Sequence, residues 1–75
     1  MEINDFIKKF ADQFEDTDAS EIKAETKFRE LEEWSSMTGL SVLNMVDKAY
    51  GVSLTFDELR NANTVLDLFN TIAKK

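Results

Sequence analysis

Seventy-five residues make one domain with a small core, and leave little material for a deep catalytic cleft with its own supporting shell. The chain has no Cys and no His, which removes thiol nucleophiles, disulfides, thiolate metal sites and the usual neutral-pH general base. A net charge of −6 argues against nucleic acid, whose phosphates need a basic surface to replace their counterions, and makes basic protein partners the expectation. Composition therefore favours a carrier, adaptor or binding module over an enzyme.

The acid is unevenly spread. Residues 1–35 hold eleven acidic and five basic side chains, whereas residues 36–75 hold four of each. No transmembrane run appears, and Met1-Glu2-Ile3-Asn4-Asp5 is acidic where a secretory signal would be basic and then apolar. A folded, monomeric, cytoplasmic protein without membrane insertion is expected.

Ile3, Phe6, Ile7, Phe10 and Phe14 recur at three- and four-residue spacing and predict a first helix over 3–14 with one apolar face, Lys8, Lys9, Asp12, Gln13 and Glu15 facing water. The Phe stripe reads as core packing rather than as an aromatic recognition surface. Residues 15–34 show no sustained period. This long connection should be strapped to the core by Phe28, Leu31 and Trp34. Asp16-x-Asp18-x-Ser20 has the look of a calcium loop, but Glu21 stands where the sharp turn needs Gly and Lys27 where a bidentate Glu is required. Turn and cap bonds account for those residues. Glu32 and Glu33 read as solvated loop acids rather than as an acid/base pair, because no apolar pocket is evident to separate their pKa values.

The second helix is expected to start at Ser35 or Ser36 and to run to Tyr50, with Gly51 supplying a left-handed stop. At one hundred degrees per residue, Gly39, Val42, Leu43, Val46 and Tyr50 gather on the core side. Met37, Ser41, Asn44, Met45 and Lys48 fall opposite, and Leu40 lies on the border. A hydroxyl on Ser36 at the positive end of this helix suits either a cap or an attached phosphate. Thr55-Phe56-Asp57-Glu58 is a capping box opening a short helix to about Asn61 that carries Phe56 and Leu59. The last helix follows Asn63-Thr64, with Val65, Leu68, Phe69 and Ile72 as its buried stripe. A strand over 51–55 would have no partner and is not expected to persist. The expected fold is all-α, a small four-helix bundle of three longer helices and one short one, with the long loop between the first two.

Several of these positions together resemble the acyl carrier protein family. Ser35-Ser36-Met37 occupies the place of that family's Asp-Ser-Leu triplet at the start of the second helix. Tyr50-Gly51-Val52 matches its aromatic-Gly-aliphatic element, Thr64-Val65 with Asp67-Leu68-Phe69 matches the opening of its last helix, and Phe28-Arg29-Glu30-Leu31 is similar to its Phe-x-x-Leu stretch. The likeness spans nearly the whole chain, and the spacing among its elements selects Ser36 over Ser35.

What the resemblance implies is a protein without catalytic residues of its own. A phosphopantetheinyl transferase would place 4′-phosphopantetheine from coenzyme A on Ser36, and the arm's thiol would carry acyl intermediates as thioesters for fatty-acid-like, polyketide-like or other specialised biosynthesis. Acyl-transferring or condensing enzymes would then dock on the second helix, a surface comprising Ser35, Met37, Thr38, Leu40, Ser41, Asn44, Met45, Asp47 and Lys48. Two departures stand out. Ser35 replaces the family's Asp, keeping a cap-competent oxygen without the charge, and Asp47 is the only acid from Met37 to Tyr50 where the family's helix is typically acidic. Both point to a dedicated carrier for a specialised pathway. The alternative from the residues themselves is an unmodified helical interaction domain binding a partner through Met37, Leu40 and Met45.

Overall fold

The first apolar stripe forms its helix: in a computed structural model, which describes residues 2–75, α1 spans Ile3–Ala11 and buries Phe6 and Phe10 completely. Asp5 in its first turn pairs with Lys9 one turn later at 2.9 Å. The helix ends three residues before the expected Phe14. Gln13 and Phe14 donate to the carbonyls of Phe10 and Ala11, three residues back rather than four. This tighter winding still carries Phe14 into the core, against Trp34 at 6.3 Å.

Glu33 fastens the backbone where it leaves this tightened turn. Its carboxylate accepts the N–H groups of Glu15 and Asp16 at 3.0 and 2.9 Å and the Thr17 hydroxyl. Glu33 is thus a half-buried anchor of the chain leaving α1, not a solvated loop acid.

The connection onward contains two single 3-10 turns, Ala19–Glu21 and Phe28–Glu30. Asp18 and Glu21, two of the residues in the calcium-like sequence, form a reciprocal capping box around the first. Among the described residues no group of three or more His, Cys, Asp or Glu is arranged to hold a metal ion. Ile22, which carried no periodic signal, is buried here. Beyond it the loop stitches itself to the far end of the molecule: Ala24 and Thr26 carbonyls accept the N–H groups of Leu66 and Val65 at 2.8 and 3.1 Å. Arg29 donates to the carbonyls of Leu59 and Ala62 and to Asn63 Oδ1. The connection is held by backbone pairing as well as by its apolar residues.

α2 spans Ser36–Tyr50, α3 Phe56–Asn61 and α4 Val65–Ala73. Gly51 closes α2 in the left-handed region at φ 65°, where a Cβ would be strained, and its N–H returns to the Asp47 carbonyl. The capping box at Thr55 and Glu58 forms as the sequence predicts, and another joins Thr64 to Asp67. Residues 51–55 form no strand. Among the described residues the fold is thus all-helical, with four α-helices, three of them nine residues or longer.

α1 packs against α2 and α4, α2 against α3, and α3 against α4. One apolar cluster runs through the molecule, and Val42, Val46, Val65 and Leu68 are completely buried in it alongside the phenylalanines. A radius of gyration of 10.9 Å matches the roughly 11 Å of a compact chain this long. No helix among the described residues is long and apolar enough to cross a membrane.

The Thr17 hydroxyl and then the N–H groups of Asp16 and Glu15 favour the charged form of Glu33 and hold its pKa below the ordinary 4.5. A depressed carboxyl pKa contributes order that is complete above 4.5 and lost as pH falls through the folded value. Glu15 and Asp16 amide shifts, followed by NMR during acid titration, should therefore show a component below 4.5 that is missing in Glu33→Gln. Amides unaffected by that substitution would refute the anchor.

Candidate functional site

The start of α2 decides what Ser36 is available for. Ser35 is the cap: its backbone is extended (φ −153°, ψ 174°), its carbonyl accepts the first helical bond from Gly39 N–H at 3.0 Å, and its Oγ accepts from Thr38 N–H at 3.3 Å. Thr38 is half-buried and ties the cap down, its hydroxyl donating to the Glu33 carbonyl at 3.0 Å and lying 3.3 Å from Ser35 Oγ. Ser36 is therefore the first residue inside the helix, exposed, with no hydrogen-bond partner for its hydroxyl among the described residues. The cap explanation applies to its neighbour.

Ser36 and Met37 also present backbone N–H groups that no described carbonyl or side chain accepts, the usual orphan donors of a helix amino end. Together with the aligned peptide dipoles of a fifteen-residue helix they make the surroundings of Ser36 favourable to an anion. No acidic side chain lies in the first turn.

Beside Ser36 opens a cleft of about 570 Å³ between α2 and α3, lined by Arg29, Trp34, Ser35, Ser36, Phe56, Leu59 and Arg60. Gly39 makes this junction. A Cβ there would stand 3.2 Å from Leu59 Cδ2, 3.5 Å from Trp34 and 3.7 Å from Phe56, so a side chain at this position would press on Leu59. Phe56 is left 48% exposed at the first position of α3. Arg60 reaches only Asp57 on its own helix, whereas Arg29 is committed to the carbonyls that end α3.

The remaining sequence-predicted surface divides. Met37 is 81% and Leu40 50% exposed, and Asn44, Asp47 and Lys48 are exposed further along α2. Met45 is not an exposed surface residue as expected: it is half-buried and packs against the core. Ser41, also placed on the outward side, is half-buried. Both fall on the flank where α1 lies alongside, and there Ser41, Asn44, Met45 and Lys48 share a second groove of about 480 Å³ with Lys9, Asp12 and Gln13. The outer face of α2 is consequently two surfaces, an apolar one around Met37 and Leu40 and a polar one against α1.

The cleft residues Arg29, Trp34, Phe56, Leu59 and Arg60 were absent from the sequence-predicted site. One signal was readable, since Phe56 and Leu59 are three residues apart and so share a side of a short helix, and Gly39 marks a close approach from α2. That the two features meet is tertiary information. No protein-family model, curated protein or solved structure matches the chain.

The division of labour between the serines has a measurable consequence. Ser35→Ala should lower unfolding stability by about 1 kcal/mol through loss of the cap, and Ser36→Ala should change it by less than about 0.5 kcal/mol, as for an exposed residue with no partner. Urea denaturation reads both, and equal losses would mean that the hydroxyls share the cap.

Proposed function

We propose that the protein is an acyl carrier protein whose Ser36 Oγ bears a covalent 4′-phosphopantetheine, its four helices forming the bundle expected of that family. The observation that carries this reading is the free, exposed Ser36 hydroxyl at the amino end of α2, beside a serine that already caps the helix. The cap leaves Ser36 Oγ available as a nucleophile. The orphan N–H groups of Ser36 and Met37 favour the phosphodiester that replaces its proton.

In that attachment the Ser36 oxygen forms a bond to phosphorus as the bond to the nucleotide part of coenzyme A breaks. The serine proton goes to a base on a separate transferase, since this chain has no His and no carboxylate lining the cleft. Once bound, the arm supplies the thiol that the chain lacks, and acyl groups ride on it as thioesters. The chain's own contributions are the hydroxyl, the helix end and a docking surface. Met37 and Leu40 give that surface an apolar patch beside the attachment point, and with Asp47 the only acid on the helix it suits dedicated enzymes of a specialised pathway better than enzymes steered by acid–base pairing.

The same exposed Met37, Leu40 and Phe56 favour a second reading, an unmodified helical domain that binds a partner through this patch. Intact mass separates the two. Incubation with coenzyme A and a broad-specificity phosphopantetheinyl transferase should add one phosphopantetheine to the wild-type protein and to Ser35→Ala, and none to Ser36→Ala. A folded wild-type protein left unmodified while a control carrier is loaded in the same tube overturns the carrier reading.

A further inference from the structure

The cleft beside Ser36 has a charge opposite to the chain around it. The protein carries fifteen acidic and nine basic residues, yet the cleft is lined by two arginines and no acid. Its other large walls are Trp34, Phe56 and Leu59, of which Phe56 is 48% exposed. A pocket with cationic and apolar walls suits an occupant with an anionic group at one end and a weakly polar chain behind it.

The arginines are not equivalent. Arg29 donates to Leu59 O at 3.0 Å, to Ala62 O and to Asn63 Oδ1 at 3.2 Å, holding the long loop to the end of α3, and cannot turn to a ligand without releasing them. Arg60 pairs with Asp57 three residues away, on side chains 72% and 80% exposed. Such a solvent-exposed surface pair is weak and readily exchanged. Arg60 is the cation that can move.

We propose that Arg60 exchanges Asp57 for the phosphodiester attached at Ser36, and that this contact seats the first part of the pantetheine chain in the cleft against Phe56 and Trp34. The inference rests on the carrier reading. Three features converge on it: the helix end at Ser36 favours the phosphate from one side, an exchangeable guanidinium lines the same cleft, and exposed aromatic surface lies between α2 and α3 where the arm would pass. Asp57 then acts as a competitor that returns Arg60 to its own helix when the arm leaves. Arg60 is a positioning residue in this scheme, with no part in forming the bond.

Trp34 is the only tryptophan and lines the cleft, so its accessibility reports occupancy directly. Acrylamide quenching of Trp34 is compared between apo and holo forms, each verified by intact mass and by circular dichroism. In the wild-type protein, loading should lower the quenching constant. The difference should disappear in Arg60→Gln, return in Arg60→Lys, and shrink in 1 M salt, where the screening length falls to about 3 Å. In Asp57→Asn, which frees Arg60, it should survive to higher salt than in wild type. Equal quenching of apo and holo wild type, or an undiminished difference in Arg60→Gln, overturns this proposal while leaving the carrier reading intact. No mass gain on Ser36 overturns both.

Discussion

The contact on which the arrangement depends is the aromatic junction of Phe10, Phe28 and Trp34. Phe10 meets Phe28 at 5.6 Å and lies near-parallel to Trp34 at 6.5 Å, while Phe28 stands edge-on to Trp34 at 4.9 Å. These residues come from α1, from the second 3-10 turn and from the residue before the cap of α2, so one cluster fixes a helix, the long loop and the start of α2 relative to each other. Full burial of a Phe side chain contributes about 1.5–3 kcal/mol, and favourable edge or offset ring geometry about 0.5–1.5 kcal/mol more for each pair. A loop tied in this way can end in a cap with fixed geometry. The same indole forms part of the cleft wall beside Ser36, which couples the core to the site through one side chain.

Polar bonds refine what the aromatic junction positions. Glu33 uses its carboxylate to gather Glu15, Asp16 and Thr17 and its backbone carbonyl to accept the Thr38 hydroxyl, so one residue touches both the exit of α1 and the entry of α2. Arg29, four residues earlier, ties the same loop to the carbonyls that close α3. With capping assigned to Ser35 and loop fastening to Glu33 and Arg29, Ser36 and Arg60 remain the polar groups at the cleft without structural duties in the core.

Much of the helix plan was legible because it rests on local rules. The stripe of α1, the capping box at Thr55 and Glu58, and the Gly51 stop each depend on residues within a turn of one another, and all three appear where the spacing puts them. The structure departs from the local pattern where distant parts of the chain compete. α1 stops at Ala11, and a carboxylate eighteen residues beyond Glu15 holds the chain that leaves it, while Met45 is drawn inward on the flank beside α1. Ile22 reaches the core from an aperiodic segment, where no pattern can announce it. At the site, the spacing singles out Ser36, but the local pattern leaves open whether the helix starts at Ser35 or Ser36, and that Ser35 caps while the Ser36 hydroxyl stays free is seen only in the folded geometry. The cleft beside them, made by Gly39, Phe56 and Arg60 across two helices, is a product of packing alone.

Placing a phosphate ester on Ser36 links the helix end, the cap and the cleft in a single chemical claim. The most direct measurement is the intact mass and peptide map of the protein isolated from its own cells. The predicted result is phosphopantetheine on the peptide bearing Ser36, localised by fragmentation to Ser36 and absent from Ser35. A protein recovered wholly unmodified from cells whose other carriers are loaded, or one modified on Ser35, would contradict it.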